Sequence, residues 1–187
     1  LGRSFTLDQL AAVAPLPRAE IELALGKLVD AEMVYRHGLW SEQVYEFKHA
    51  LVQEAAYLSM LRARRQQMHA RIGQVLEESF PETANSRPEI LAHHYGEGGV
   101  VDKAYEFNLR AGDAAAARYA SPEARTRYSK ARALAREMPQ SPRAQRRELK
   151  AILKCASVAF GKAQIEADLR ELQHAKAVAE ALDHQPR

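Results

Sequence analysis

The sequence predicts a mainly α protein: a truncated winged-helix domain with a small β hairpin, followed by a tetratricopeptide-like array of antiparallel helix pairs. Three observations carry this expectation. Leucine and alanine recur at helical spacing over most of the 187 residues. The β-favouring stretch is short, running from about Met33 to Phe47. The remaining helical stretches, about 12 to 20 residues each with short breaks between them, have the lengths of stacked helical pairs.

Taken in order, Leu1 reads as the tail of an interrupted helix, so a piece of something longer is expected, with the first winged-helix helix lying mostly before it. Thr6 and Gln9 have capping-box spacing, in which hydroxyl and amide each satisfy an orphan backbone N–H, and predict a helix over Leu7 to Val13. Pro15 and Pro17 break it, and Pro17 suits the first position of the next helix. There Ile21, Leu25 and Leu28 form one buried stripe that ends near Ala31. MVYRHGLWSEQVYEF then sets Val34, Leu39, Val44 and Phe47 around Gly38 and the polar Ser41-Glu42-Gln43, a hairpin pattern. Helix, helix and hairpin in that order are those of a winged helix.

From Ala50 the pattern is helical to the end, with breaks near Arg62, at Phe80-Pro81, at Gly96 to Gly99, at Ser121-Pro122, at Pro139 to Pro142 and near Gly161 to Gln164. One pair fits a tetratricopeptide register. With Gly112 as its eighth position, Ala124, Tyr128 and Ala131 fall at the later positions where small or aromatic residues pack the second helix on the first. Asn108 stands where that pattern has Trp, and the closing proline comes late, at Pro139. The expected organisation is a winged-helix-like domain over 1–61, a connecting helix over 62–85 and helical repeats over 86–187.

A single cysteine, Cys155, permits no internal disulfide and fits a reducing compartment, so a cytoplasmic location is expected. No apolar run approaches the roughly 18 residues of a membrane span. The net charge of +3 is too small to imply nucleic acid by itself, so its distribution decides.

FKHALVQEAAY, at 47–57, looks chemical but does not assemble a site. His49 and Glu54 are five apart, about 140° around a helix, and so cannot share a metal. Ala50, Leu51, Ala55 and Leu58 read as its inward stripe, with His49 at the strand-to-helix junction, where an imidazole can satisfy free backbone groups. Among the other histidines only Glu171-x-x-His174 has ligand spacing, and a di-metal site needs a second such motif that the chain lacks. His93 and His94 point in two directions from one helix, so only one of them can face a core. Gly161-Lys162 lacks both the leading glycine and the following Ser or Thr of a P-loop, and Cys155 has no neighbouring base. No catalytic, cofactor-binding or metal residues are therefore assigned, and no cofactor is expected.

The helix that would enter a DNA groove, RAEIELALGKLVDAE, sets Glu20, Glu22, Asp30 and Glu32 against Arg18 and Lys27, and net negative charge there opposes a phosphate-lined surface. The strongest basic region is elsewhere. Between Glu123 and Lys150, nine cations (Arg125, Arg127, Lys130, Arg132, Arg136, Arg143, Arg146, Arg147 and Lys150) face three Glu, a local charge of +6. They read either as a docking surface for an acidic partner or as solvated helix faces beside acidic neighbours.

Several segments together resemble a known family: LGRSF at 1–5, YEFKHALVQEAAY at 45–57, RARRQQMHARIGQVLE at 62–77, LAHHYGEGG at 91–99, AGDAAAARYASPEARTRYSKARAL at 111–134 and FGKAQIEADLRELQHAKAVAEALD at 160–183. In that order they are similar to the winged-helix and tetratricopeptide-like region of bacterial multidomain signalling ATPases of the STAND class, most like those fused to class III adenylate or guanylate cyclases. The resemblance implies a non-catalytic regulatory and coupling module, with the P-loop and cyclase before Leu1. Its winged helix would pack on the ATPase module and relay nucleotide state, while the array offers a surface to a protein or small-molecule signal. Phe47-x-His49-Ala50-Leu51 and Glu54-x-Ala56-Tyr57 would mark the last strand of the winged helix and the helix after it. Homo-oligomerisation is compatible with this reading, and a DNA-binding module of a transcriptional regulator is the alternative.

Overall fold

The computed structural model describes residues 3–38, 43–159 and 162–183, apart from the side chains of 162–164, 174, 178 and 181–183. Leu1, Gly2, Leu39, Ser41 and Glu42 of the hairpin, Gly161 and His184 lie outside the described residues. The protein is mainly helical with one small antiparallel sheet, and it divides into two units, Leu1–Pro81 and Glu82–Arg187.

The first unit begins with β1 (Ser4–Thr6) and α1 (Leu7–Val13). The capping box forms as the spacing predicts: Gln9 N–H donates to Thr6 Oγ1 at 3.2 Å and Thr6 N–H to Gln9 Oε1 at 3.1 Å. α2 (Arg18–Asp30) starts directly after Pro17, and β2 (Val34–His37) and β3 (Val44–Phe47) form the expected hairpin. Gly38, leaving β2, has φ of 93°, which a side chain would strain. β1 pairs antiparallel with the far edge of β3, giving the order β1-β3-β2. β1 went unread because three residues are too few to show alternation.

Phe5, Ile21, Leu25, Val34 and Tyr45 make the core of this unit, with Phe5 stacked on Tyr45 at 6.0 Å. Leu28 sits at the rim, 36% exposed, rather than completing the stripe. α3 (Ala50–Leu58) corrects a second expectation, because none of its residues is buried. Leu51 and Leu58, read as inward, are 77% and 61% exposed. Helical spacing identifies an apolar face but does not provide a surface to cover it. His49 precedes α3 without capping it. The C-terminal end is closed by Arg65 of α4 (Arg62–Ser79), whose guanidinium donates to the carbonyls of Tyr57, Leu58 and Met60 and lies 5.0 Å from the Tyr57 ring centre. α4 belongs to the first unit and packs on α1.

The second unit contains α5 (Pro81–Ser86), α6 (Pro88–Glu97), α7 (Val101–Ala117), α8 (Ser121–Glu137), α9 (Pro142–Ser157) and α10 (Lys162–Asp183), α5 crossing the boundary by one residue. Each helix from α6 onward packs on the next in sequence. Prolines open α6, α8 and α9 within their first two positions, where the missing N–H has no partner to lose. Gly99, with φ of 71°, turns the chain between α6 and α7.

The seam of α7 and α8 follows the sequence register. Ala124, Tyr128 and Ala131 are at most 1% exposed and share one core with Tyr105, Leu109, Ala115, Ala135, Ala151 and Cys155. A Cβ placed on Gly112 would lie 2.3 Å from the Tyr128 ring, so the tyrosine occupies the space that the glycine leaves. His94 is buried and His93 exposed, the division their adjacency predicts. Asn108, in place of a tryptophan, is buried, and its amide donates to the Ala104 carbonyl at 2.8 Å.

Candidate functional site

The nine cations of the basic region lie on α8 and α9, and five of them are paired with carboxylates of the same unit, Arg136 and Arg143 while still exposed. Arg125 makes two 2.7 Å hydrogen bonds to the carboxylate of Asp168 on α10 and one of 3.1 Å to the Cys155 carbonyl, joining three helices. Arg132, two turns further along α8, pairs with Glu171 of α10 and lies 3.8 Å from Glu148 of α9. Arg136 donates to Glu148 at 2.5 Å.

Arg143 and Arg147 of α9 reach back to α7. Both pair with Asp102, and Arg147 also reaches Glu106 at 3.4 Å and covers the Tyr105 ring at 4.9 Å. The Tyr105 hydroxyl donates to the Arg147 carbonyl. A second such tie joins all three helices, since Tyr128 Oη (2.7 Å) and Lys154 Nζ (2.8 Å) both donate to Asp113 Oδ1. Arg127, Lys130, Arg146 and Lys150 make no ion pair among the described residues, and of these Lys130, Arg146 and Lys150 are exposed.

The region therefore does not present nine free charges. The spacing of cations was visible along the chain, but their acceptors Asp102, Asp168 and Glu171 come from helices up to 45 residues away. Only helix-pair stacking brings them together, and no local pattern announces it.

The titratable groups are set for structure. Burial raises the Tyr105 hydroxyl to about 12 and, with the Asp113 hydrogen bond, raises Tyr128 further, so both stay protonated donors at neutral pH. Burial likewise raises the Cys155 thiol, which is the direction away from a reactive thiolate. The Arg125 hydrogen bonds hold the Asp168 carboxyl below its ordinary 3.8. A depressed carboxylate contributes stability above its unfolded pKa, so this pair is complete at pH 7 and is lost only as pH falls below about 4.

In the first unit a cleft of about 390 Å³ lies between α2 and the hairpin, rimmed by Arg18, Glu22, Asp30 and Arg36. Arg18 is engaged by Asp8 at 2.7 Å and Glu22 at 3.1 Å, so the rim carries no free block of positive charge. His49 and Glu54 are both exposed. Among the described residues no group of three or more His, Cys, Asp or Glu could hold a metal ion; the side chain of His174 lies outside them, and Glu171 is committed to Arg132. Among the described residues no helix is long and apolar enough to cross a membrane.

These features define a mainly helical protein with a small three-stranded sheet, whose second unit is tied across its helices by buried aromatics and charge pairs. No family model and no solved structure matches the chain. An uncharacterized protein of Rhizobium meliloti (strain 1021) is 27% identical over 161 residues, covering 86% of this chain. The chain spans 16% of the length of that relative.

Proposed function

We propose that the chain is a non-catalytic regulatory and protein-interaction module of a signalling ATPase or cyclase, with a winged-helix part followed by tetratricopeptide-like helix pairs. The observation that carries this reading is the α7–α8 seam, where Gly112, Ala124, Tyr128 and Ala131 meet in the register of such a repeat. Stacked helical pairs build extended surfaces for partners rather than enclosed reaction sites.

In the first unit, α1 and α2 followed by a hairpin that shares their core support the winged-helix assignment. Its exposed apolar residues Leu51, Leu58 and Leu61 suit a unit that docks on a neighbouring domain, in this reading the ATPase module. The much greater length of the Rhizobium relative is compatible with such a multidomain setting. Docking of an acidic protein partner falls to Lys130, Arg146 and Lys150, with Arg127 beside them, because the other five cations are already paired. A small-molecule signal and self-association remain compatible with this role, and the reducing cytoplasm is its proposed compartment.

DNA reading is the second function class. It is disfavoured by exposed Glu20, Glu22 and Asp30 on α2 and by the mixed charge of the cleft rim. The isolated chain is expected to show no turnover of ATP or GTP, no cyclic-nucleotide formation and no binding to duplex DNA in low salt. Turnover of any of these would overturn the reading. Salt-dependent duplex binding that charge reversal in α2 abolishes would establish the DNA-binding alternative instead.

A further inference from the structure

We propose that α10 is an ionic latch: a helix held on the α8–α9 face by charge, able to leave as a unit while α7 and α8 stay packed. The two kinds of helix contact in this unit differ sharply. α7 and α8 close on a continuous apolar core built around Tyr105, Leu109, Ala124, Tyr128 and Ala131. Among the described side chains of α10, only Asp168 and Ala175 are buried. Its apolar Ile165 and Leu169 are 48% and 52% exposed, so each leaves about half its surface open.

α10 packs along α9 and is tied to α8 by the Arg125–Asp168 pair, with two 2.7 Å bonds, and by the Arg132–Glu171 pair one turn on. Asp168 and Glu171 are at i and i+3 and share a helix face, opposite Arg125 and Arg132 at i and i+7 on α8. The contact is therefore a row of two cations against a row of two carboxylates. The Arg125–Asp168 pair, with side-chain exposures of 23% and 11%, is the better shielded, and Arg132–Glu171, at 20% and 39%, is the more open, so added salt weakens the second pair more. An apolar seam responds to salt in the opposite sense or not at all. Opening takes the carboxylate partner from Arg125 and leaves Arg132 with Glu148 alone, so the α8 face becomes more positive. The latch so couples the position of α10 to the charge of the α8 face.

Hydrogen exchange read by mass spectrometry on the whole chain tests this. In 50 mM NaCl the α10 amides are expected to exchange at least tenfold faster than those of α7 and α8. Raising NaCl to 500 mM should speed α10 severalfold and leave α7 and α8 unchanged. Asp168→Asn should reproduce the high-salt rate of α10 in low salt. The charge-swapped pair Arg125→Asp with Asp168→Arg should return α10 toward the wild-type rate, which a merely disruptive substitution would not allow. Exchange of α10 in step with α7 and α8, or insensitivity of α10 to both salt and Asp168→Asn, would overturn the latch. So would loosening of α7 and α8 along with α10 in Asp168→Asn.

Discussion

Tyr128→Ala is expected to lower the unfolding free energy of the second unit by about 4 kcal/mol, the scale of removing a buried aromatic side chain from a packed core. The ring is 1% exposed, fills the space over Gly112 and lies under Lys154, while its hydroxyl donates to Asp113. The loss therefore combines a cavity, an unfilled glycine notch and an acceptor left to Lys154 alone. Urea unfolding followed by the helical circular-dichroism signal measures it. Tyr128→Phe keeps the ring and should cost about 1.5–3 kcal/mol, the net value of a hydrogen bond to a charged group. Equal losses in the two variants would mean that the hydroxyl, not the ring, holds the seam.

Gly112→Ala is the second large effect, and its sign is informative. Alanine favours a helix interior over glycine by about 1 kcal/mol, so on propensity alone the substitution should stabilise α7. Here the new methyl would stand 2.3 Å and 2.5 Å from two carbons of the Tyr128 ring, a distance no packed core tolerates. Either the ring swings or the helices part, and overpacking of this kind costs about 1–3 kcal/mol. A net destabilisation of up to about 2 kcal/mol is expected, in place of the gain that propensity alone would give. Gly26→Ala supplies the control, because nothing lies within 4 Å of a Cβ there, and it should stabilise by up to about 1 kcal/mol. Combined with Tyr128→Ala, the Gly112→Ala penalty should vanish, since the clashing ring is gone and the two sites share one contact.

The register behind both predictions was readable because it is local. Gly112 and Tyr128 lie 16 positions apart on adjacent helices, and helix-pair geometry converts that spacing into contact. The capping box at Thr6 and Gln9, the hairpin and the proline-marked helix starts were legible for the same reason, each being written within a few residues. The break at Arg87 between α5 and α6 was missed, although Pro88 at the first position of α6 is the kind of signal that marks one.

Long-range partners were not legible. β1 exists only because β3 offers it an edge. The stripe of α3 has the right spacing but no covering surface, so Leu51 and Leu58 stay exposed. The basic region shows the same limit most clearly. Its cations were countable, yet whether each was free depended on carboxylates from α7 and α10, which the +6 tally did not include.

The proposed regulatory coupling predicts an effect on nucleotide turnover in a longer protein. The Rhizobium meliloti relative, of which the matched stretch is 16%, provides the setting. ATP hydrolysis would be compared between the full-length relative, a version lacking that stretch, and a version carrying this chain in its place. Expected are turnover in the full-length protein, a change of at least fivefold on removing the stretch, and a return toward the original rate when this chain replaces it. Absence of ATP hydrolysis in the full-length protein, or a rate unchanged by removal of the stretch, would rule out regulatory coupling.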